Sequence, residues 1–185
     1  MELQMNYNIE LIKSRYDTGK KMKFLFFWGH QPSRDGSVSS SCFSQWWQQI
    51  FEIDNIKYPT AEHWMMAEKA RLFGDTEVLE RILKAKSPGE AKKLGRLVKG
   101  FDQTIWESKR YQIVVLGNYH KFKQHPELMK FLLNTKERVL VEASPVDAIW
   151  GIGYDSNHQF ANVPVKWRGL NLLGFALMEV RDMLK

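Results

Sequence analysis

Apolar and polar positions alternate along the chain in a pattern that predicts several helices and a few short strands. Ile9 and Ile12 give residues 6–16 an apolar side, so a short helix is expected there, with Gly19 just beyond its end. Phe24-Leu25-Phe26-Phe27-Trp28 is a continuous apolar run, too short to span a membrane, and reads as a buried strand. Residues 30–41 hold Pro32, Gly36 and five serines, a polar loop able to cover a pocket. Residues 50–53 and 56–58 flank Asp54-Asn55, a two-residue turn signal for a β-hairpin. Thr60 is a good N-cap for a helix running to about Phe73, where Gly74 stops it. Further helices are expected over 76–84, 88–98, 106–123, 126–133 and 171–184, with a brief strand at 138–142 and a loop at 144–165. The fold class that follows is α+β: a single helix-rich domain at 24–185 with a few short strands, preceded by a helical N-terminal extension at 1–23.

Two places along this pattern carry candidate chemistry. At about 100° per residue, Glu62, Met65, Met66, Lys69 and Phe73 share one stripe of the helix after Thr60, while Glu68 and Arg71 fall on the opposite, solvated side. A charge within a Met and Phe stripe is costly unless a polar cavity or ligand meets it. Glu62 and Lys69 are two turns apart, so they would line one wall; alternatively Glu62 complements the helix start and Lys69 snorkels to solvent. The second place is Ser144-Pro145-Val146-Asp147-Ala148-Ile149-Trp150-Gly151-Ile152-Gly153. Its glycines let backbone amides approach a ligand, and Asp147 offers a carboxylate beside an indole; a turn packed on a core Trp is the plainer alternative.

Composition narrows the classes. The chain has 185 residues, 27 Lys plus Arg against 21 Asp plus Glu, and seven Trp within 13% aromatics. A net charge of +6 together with many flat rings points to an anionic partner carrying planar bases. Cys42 is the only cysteine, so neither an intramolecular disulfide nor a Cys-rich zinc site is available. The five His residues show no metal-binding spacing, and no metal or cofactor is expected. Gly95 to Gly100 imitates a phosphate loop but lacks its Lys and Ser/Thr, and Gly151-Ile152-Gly153 lacks the third glycine of a dinucleotide fingerprint. The basic run Lys84, Lys86, Lys92, Lys93, Arg96 and Lys99 reads as a solvated face, with nucleic-acid contact as the alternative. Residues 1–23 lack the apolar stretch of a signal peptide, so a cytoplasmic location is expected.

Tyr58-Pro59-Thr60-Ala61-Glu62-His63, Lys69, Asp147-Ala148-Ile149-Trp150-Gly151-Ile152-Gly153 and Gly169-Leu170-Asn171-Leu172-Leu173-Gly174, in this order, resemble the NADAR (YbiA-like) family over about residues 24–185. Cys42-Phe43-Ser44-Gln45-Trp46-Trp47 departs from the family's usual Phe-Ser-Asn-Phe type segment. The resemblance implies an α+β fold and an N-glycosidase. Its substrate would be a phosphoribosylamino-pyrimidine intermediate of riboflavin biosynthesis or, alternatively, ADP-ribose attached to guanine of nucleic acid. It makes Glu62, Lys69 and Asp147 catalytic candidates and Trp106, Trp150, Gly151 and Gly153 substrate-binding candidates. Two mechanisms fit: a carboxylate pair that stabilises the cationic sugar and protonates the leaving amine, or attack by a neutral Lys69 amine to give an imine. The partner would be a small ribosyl phosphate or ADP-ribosyl group, with nucleic acid as a carrier of the modified base. A non-catalytic module binding ADP-ribose or single-stranded nucleic acid is the competing class.

Overall fold

The computed structural model describes residues 5–185, and the chain within it forms two compact units. The first combines the chain up to Ser44 with Pro126–Lys185; the second is Gln45–His125. The expected N-terminal extension is described from Met5 onward, and residues 1–4 of it lie outside the described residues.

In the first unit the apolar run becomes β1 (Phe24–Phe27), which pairs in parallel with β4 (Val139–Glu142) from Phe24 opposite Val139 to Phe27 opposite Glu142. Helix α7 (Leu172–Met183) packs on β4 because Gly174 permits contact: a Cβ there would run into the Leu140 carbonyl oxygen. Asn171, fully buried with φ of 53°, does not cap this helix. Its Oδ1 accepts the Glu142 N–H and its Nδ2 donates to the Leu140 carbonyl, both at 2.9 Å, so one amide group satisfies the strand edge as a neighbouring strand would. Helix α1 (Ile9–Asp17) is capped by Asn8, whose Oδ1 accepts the Leu11 N–H. The residues before it are clamped by the buried Glu179 of α7, which accepts the N–H groups of Asn6 and Tyr7. Tyr7 donates its hydroxyl to Asp182, and burial with that carboxylate pushes its pKa up to about 12. The segment outside the family-like region is thus tied into the first unit. Helix α6 (Pro126–Leu133) leads through a turn into β4.

In the second unit β2 (Phe51–Ile53) and β3 (Ile56–Tyr58) pair antiparallel. Asp54 and Asn55 make the two-residue turn, both with positive φ, as the sequence predicts. Helices α3 (Thr76–Leu83), α4 (Pro88–Gly95) and α5 (Gln103–Lys123) all pack on α2 (Ala61–Leu72). Each begins at a side-chain cap: Thr60 for α2, Asp75 for α3, Ser87 for α4 and Asp102 for α5. The Asp102 cap starts α5 three residues before the expected Trp106, because the apolar pattern marks only the part of the helix that is buried.

The α+β expectation, helix-rich with short strands, holds, with seven α-helices and four strands among the described residues. The solvated side assigned to Glu68 and Arg71 does not. Their ion pair is roughly three-quarters covered, and Arg71 also donates to the Tyr58 hydroxyl. The first two turns of α2 are buried all round because three helices and a hairpin surround it. No helix among the described residues is long and apolar enough to cross a membrane.

Candidate active-site residues

Helix α2 carries the two charged candidates of the second unit. Thr60 Oγ1 accepts the His63 N–H, and the Glu62 N–H donates to the Gln45 carbonyl at 2.9 Å, which fixes the start of the helix. Glu62 is only 3% exposed, so a carboxylate sits inside the protein at the positive end of a helix. Next to it, His63 is held as a neutral ring. Its Nε2–H donates to the Ala85 carbonyl at 3.1 Å, leaving Nδ1 to accept from the Thr60 hydroxyl at 2.8 Å. Burial pushes its pKa down.

Two turns later Lys69 places Nζ 4.1 Å from the Phe101 ring centroid and 5.6 Å from that of Trp106. No carboxylate of the described residues lies within ion-pair distance of it. Burial, reinforced by the like charge of Arg96, pushes the Lys69 pKa down. Ring faces attract the ammonium but accept no proton, so they hold the amine in place without locking it in the charged form. The wall is extended by Phe73, whose ring meets Phe101 edge-on at 5.3 Å. Phe101 follows Gly100, a residue with φ of +69°, and precedes the Asp102 cap of α5. Arg96 lies within the stretch that imitates a phosphate loop and Phe101 directly follows it, so neither stands out as a site residue in the sequence. A large aromatic between a glycine turn and a helix cap, 40% exposed in the fold, was the available signal.

Behind Glu62, Gln45 and Asn118 form a buried amide pair: Asn118 Nδ2 donates to Gln45 Oε1 at 2.8 Å and to the Val114 carbonyl at 2.9 Å. Gln45 Nε2 and Asn118 Oδ1 have no hydrogen-bond partner among the described residues, polar capacity held in a place where desolvation is costly.

In the first unit, Asp147, Trp150, Gly151 and Gly153 lie together on one loop after β4. Asp147 Oδ1 accepts the N–H groups of Ile149 and Trp150, both at 2.8 Å, so its first effect is to fold the loop back on itself. The return segment is stitched alongside: Leu170 N–H donates to the Ala148 carbonyl, Asn171 N–H to Gly151 and Leu173 N–H to Trp150. A Cβ on Gly151 would stand 2.8 Å from the Glu142 carbonyl oxygen and 3.0 Å from that of Asp147. Gly153 has φ of +75° and faces the Arg168 side chain. Both glycines are therefore required by the chain's own crossing, and neither donates its N–H to the bonds that stitch the loop. Lys69 and Trp106 are brought together in the second unit with Glu62 on the same helix; the other four candidates share the loop of the first.

Residues 26–185 match the model of the NADAR domain family. The chain is 42% identical over 166 residues to the protein named N-glycosidase R617 of Acanthamoeba polyphaga mimivirus, covering 86% of this chain and 95% of that one. It is 35% identical over 144 residues to N-glycosidase YbiA of Escherichia coli K12, covering 78% and 79%. The NMR structure of the E. coli protein YbiA aligns with a TM-score of 0.68 at 31% identity, over 88% of this chain and 84% of that one. A third relative, the chloroplastic riboflavin biosynthesis protein PYRR of Zea mays, is 36% identical over 136 residues; these are 70% of this chain but 20% of that protein.

Proposed function

The chain belongs to the NADAR family and is an N-glycosidase, and from that premise we propose that it cleaves the bond between C1 of a ribose phosphate and an amine nitrogen, with Lys69 as nucleophile. The substrate class is the phosphoribosylamino-pyrimidines, a reading supported by the name of the maize relative. The observation that carries the role of Lys69 is its environment: a half-buried amine over two aromatic rings, without a carboxylate partner among the described residues and with its pKa pushed down.

The Nζ lone pair forms a bond to C1 as the bond from C1 to the base amine breaks, and the departing amine takes up a proton. Loss of a proton from Nζ and opening of the C1–O4′ bond give an imine, with O4′ protonated. Water then adds to the imine and returns the sugar phosphate and free Lys69. Glu62, the enclosed carboxylate on the same helix, is proposed to carry the protons. Trp106 is proposed to wall off the Lys69 amine from water. Asp147 is proposed to act mainly through the loop it folds, with Trp150 offering a ring to the substrate and the Gly151 and Gly153 amides taking phosphate oxygens.

The test is a mass-spectrometric assay of wild-type protein and Lys69→Ala against phosphoribosylamino-pyrimidines and ADP-ribosylated guanosine in parallel. Release of free base from the pyrimidine panel alone, abolished in Lys69→Ala, supports the reading. Turnover confined to the ADP-ribosyl panel overturns the substrate class, and undiminished turnover by Lys69→Ala overturns the nucleophile.

A further inference from the structure

A basic feature of the first unit contains none of the residues given a role in this chemistry. The end of α1, the segment after it and the turn between α6 and β4 enclose an open cavity of about 690 Å3, lined by Arg15, Lys20, Lys21, Lys23, Lys136 and Arg138, with Glu137 the one acidic residue. None of the six cations is in an ion pair with a described residue, whereas Glu137 already meets Lys185 at 3.8 Å. Six like charges gathered around one concavity focus a positive potential there and raise the local concentration of anions.

The walls are fixed by backbone. Val139 N–H donates to the Lys23 carbonyl at 2.9 Å, joining the two basic segments at the start of the β1–β4 pair. Lys136 adopts φ of 53°, a turn closed by the Arg138 N–H on the Thr135 carbonyl. Underneath, Arg181, 2% exposed, donates Nη1 to Thr135 Oγ1 at 2.9 Å and to the Arg138 carbonyl at 2.8 Å. A buried guanidinium therefore clamps both ends of the turn that presents Lys136 and Arg138, and adds its own positive charge beneath the cavity.

We infer that this cavity is a binding site for the phosphodiester backbone of single-stranded nucleic acid. Six cations from two chain segments exceed the charge that one phosphate group can neutralise, which suits several phosphates along a strand. A concave wall whose apolar lining is confined to Met22 and Val139 suits a strand better than a lipid surface, which needs projecting apolar side chains. The lining has no aromatic ring to stack a base, so binding there follows the backbone and is indifferent to sequence. The inference is independent of Lys69 and of the bond that the enzyme cuts.

Fluorescence anisotropy of a labelled 12-nucleotide oligothymidylate tests it, with wild-type protein and the exposed-surface variant Lys20→Gln/Lys21→Gln/Lys136→Gln. Wild-type binding should weaken with salt along a log–log slope of up to about −4, from ~0.7 per neutralised phosphate, and the variant should lose roughly 2 from that slope and bind more than tenfold more weakly at 50 mM salt. Base release from a small ribosyl phosphate should be the same in both proteins. Equal oligonucleotide affinity and slope in the two proteins would overturn the site. So would displacement of the oligonucleotide by 1 mM inorganic phosphate, which would make it a point-anion site, or binding to phosphatidylserine vesicles without binding to the oligonucleotide.

Discussion

At Lys69 an amine is held against Phe101 and Trp106, with Arg96 near and no carboxylate of the described residues in ion-pair reach. Burial and the like charge of Arg96 lower the cost of losing a proton, and a lysine acts as a nucleophile only after losing it. The rate of base release at saturating substrate should therefore rise with pH and level off at an apparent pKa below the ordinary lysine value of 10.5, the direction in which burial moves Lys69. A profile that climbs without a plateau up to that value would contradict it. His63 makes a second pH-dependent prediction, on stability. Its folded pKa is below the 6.5 of a free imidazole, so between these two values the unfolded chain binds the extra proton. Stability is complete above 6.5 and falls as pH drops through that window, because protonating Nδ1 removes the acceptor of the Thr60 hydroxyl. His63→Gln should flatten the decline of Tm from pH 7 to 5 relative to wild type; parallel curves in thermal denaturation would refute this.

Among the elements, α2 shows how far the sequence can be read. Its cap at Thr60, its end at Gly74 and the Asp54-Asn55 hairpin before it are all local signals, set by backbone chemistry within four residues, and all were legible. What surrounds the helix is not local. A stripe analysis assumes one buried face, yet Gly95 of α4 and Gly117 of α5 let two helices come close enough to cover the others. A Cβ on Gly95 would meet Met66, and one on Gly117 would meet the Trp64 ring, whose Nε1–H is already bonded to the Ile113 carbonyl at 2.8 Å. A buried ring held at one end yields little, so Gly117→Ala should cost about 2 kcal/mol by overpacking and lower Tm by roughly 4–8 °C in a chain of this size. An unchanged or raised Tm would show that the α2–α5 crossing has slack. Asn171 teaches the same lesson: only the fold reveals that the amide of this residue before α7 completes the edge of β4.

Across the molecule, the parts that motif order made legible are the candidate residues on α2 and on the loop after β4. The parts that it did not are those created by chain return. Phe24 pairs with Val139 across most of the chain, and this pairing brings Lys23 beside the turn of Lys136 and Arg138, building a basic cavity from two stretches that look unremarkable apart. The dense run from Lys84 to Lys99, more visible in the sequence, is partly neutralised by Glu77 on Lys99. Phe101 joins Lys69 in the same way, from beside a stretch that lacks the Lys and Ser/Thr of a phosphate loop. The central claim is that Lys69 bonds covalently to the sugar, and reductive trapping tests it most directly. Borohydride added during turnover should fix one ribosyl phosphate on the protein, with the added mass located on the peptide containing Lys69 and absent from Lys69→Arg. Steady turnover with no protein adduct under borohydride would contradict it and return the chemistry to a carboxylate pair.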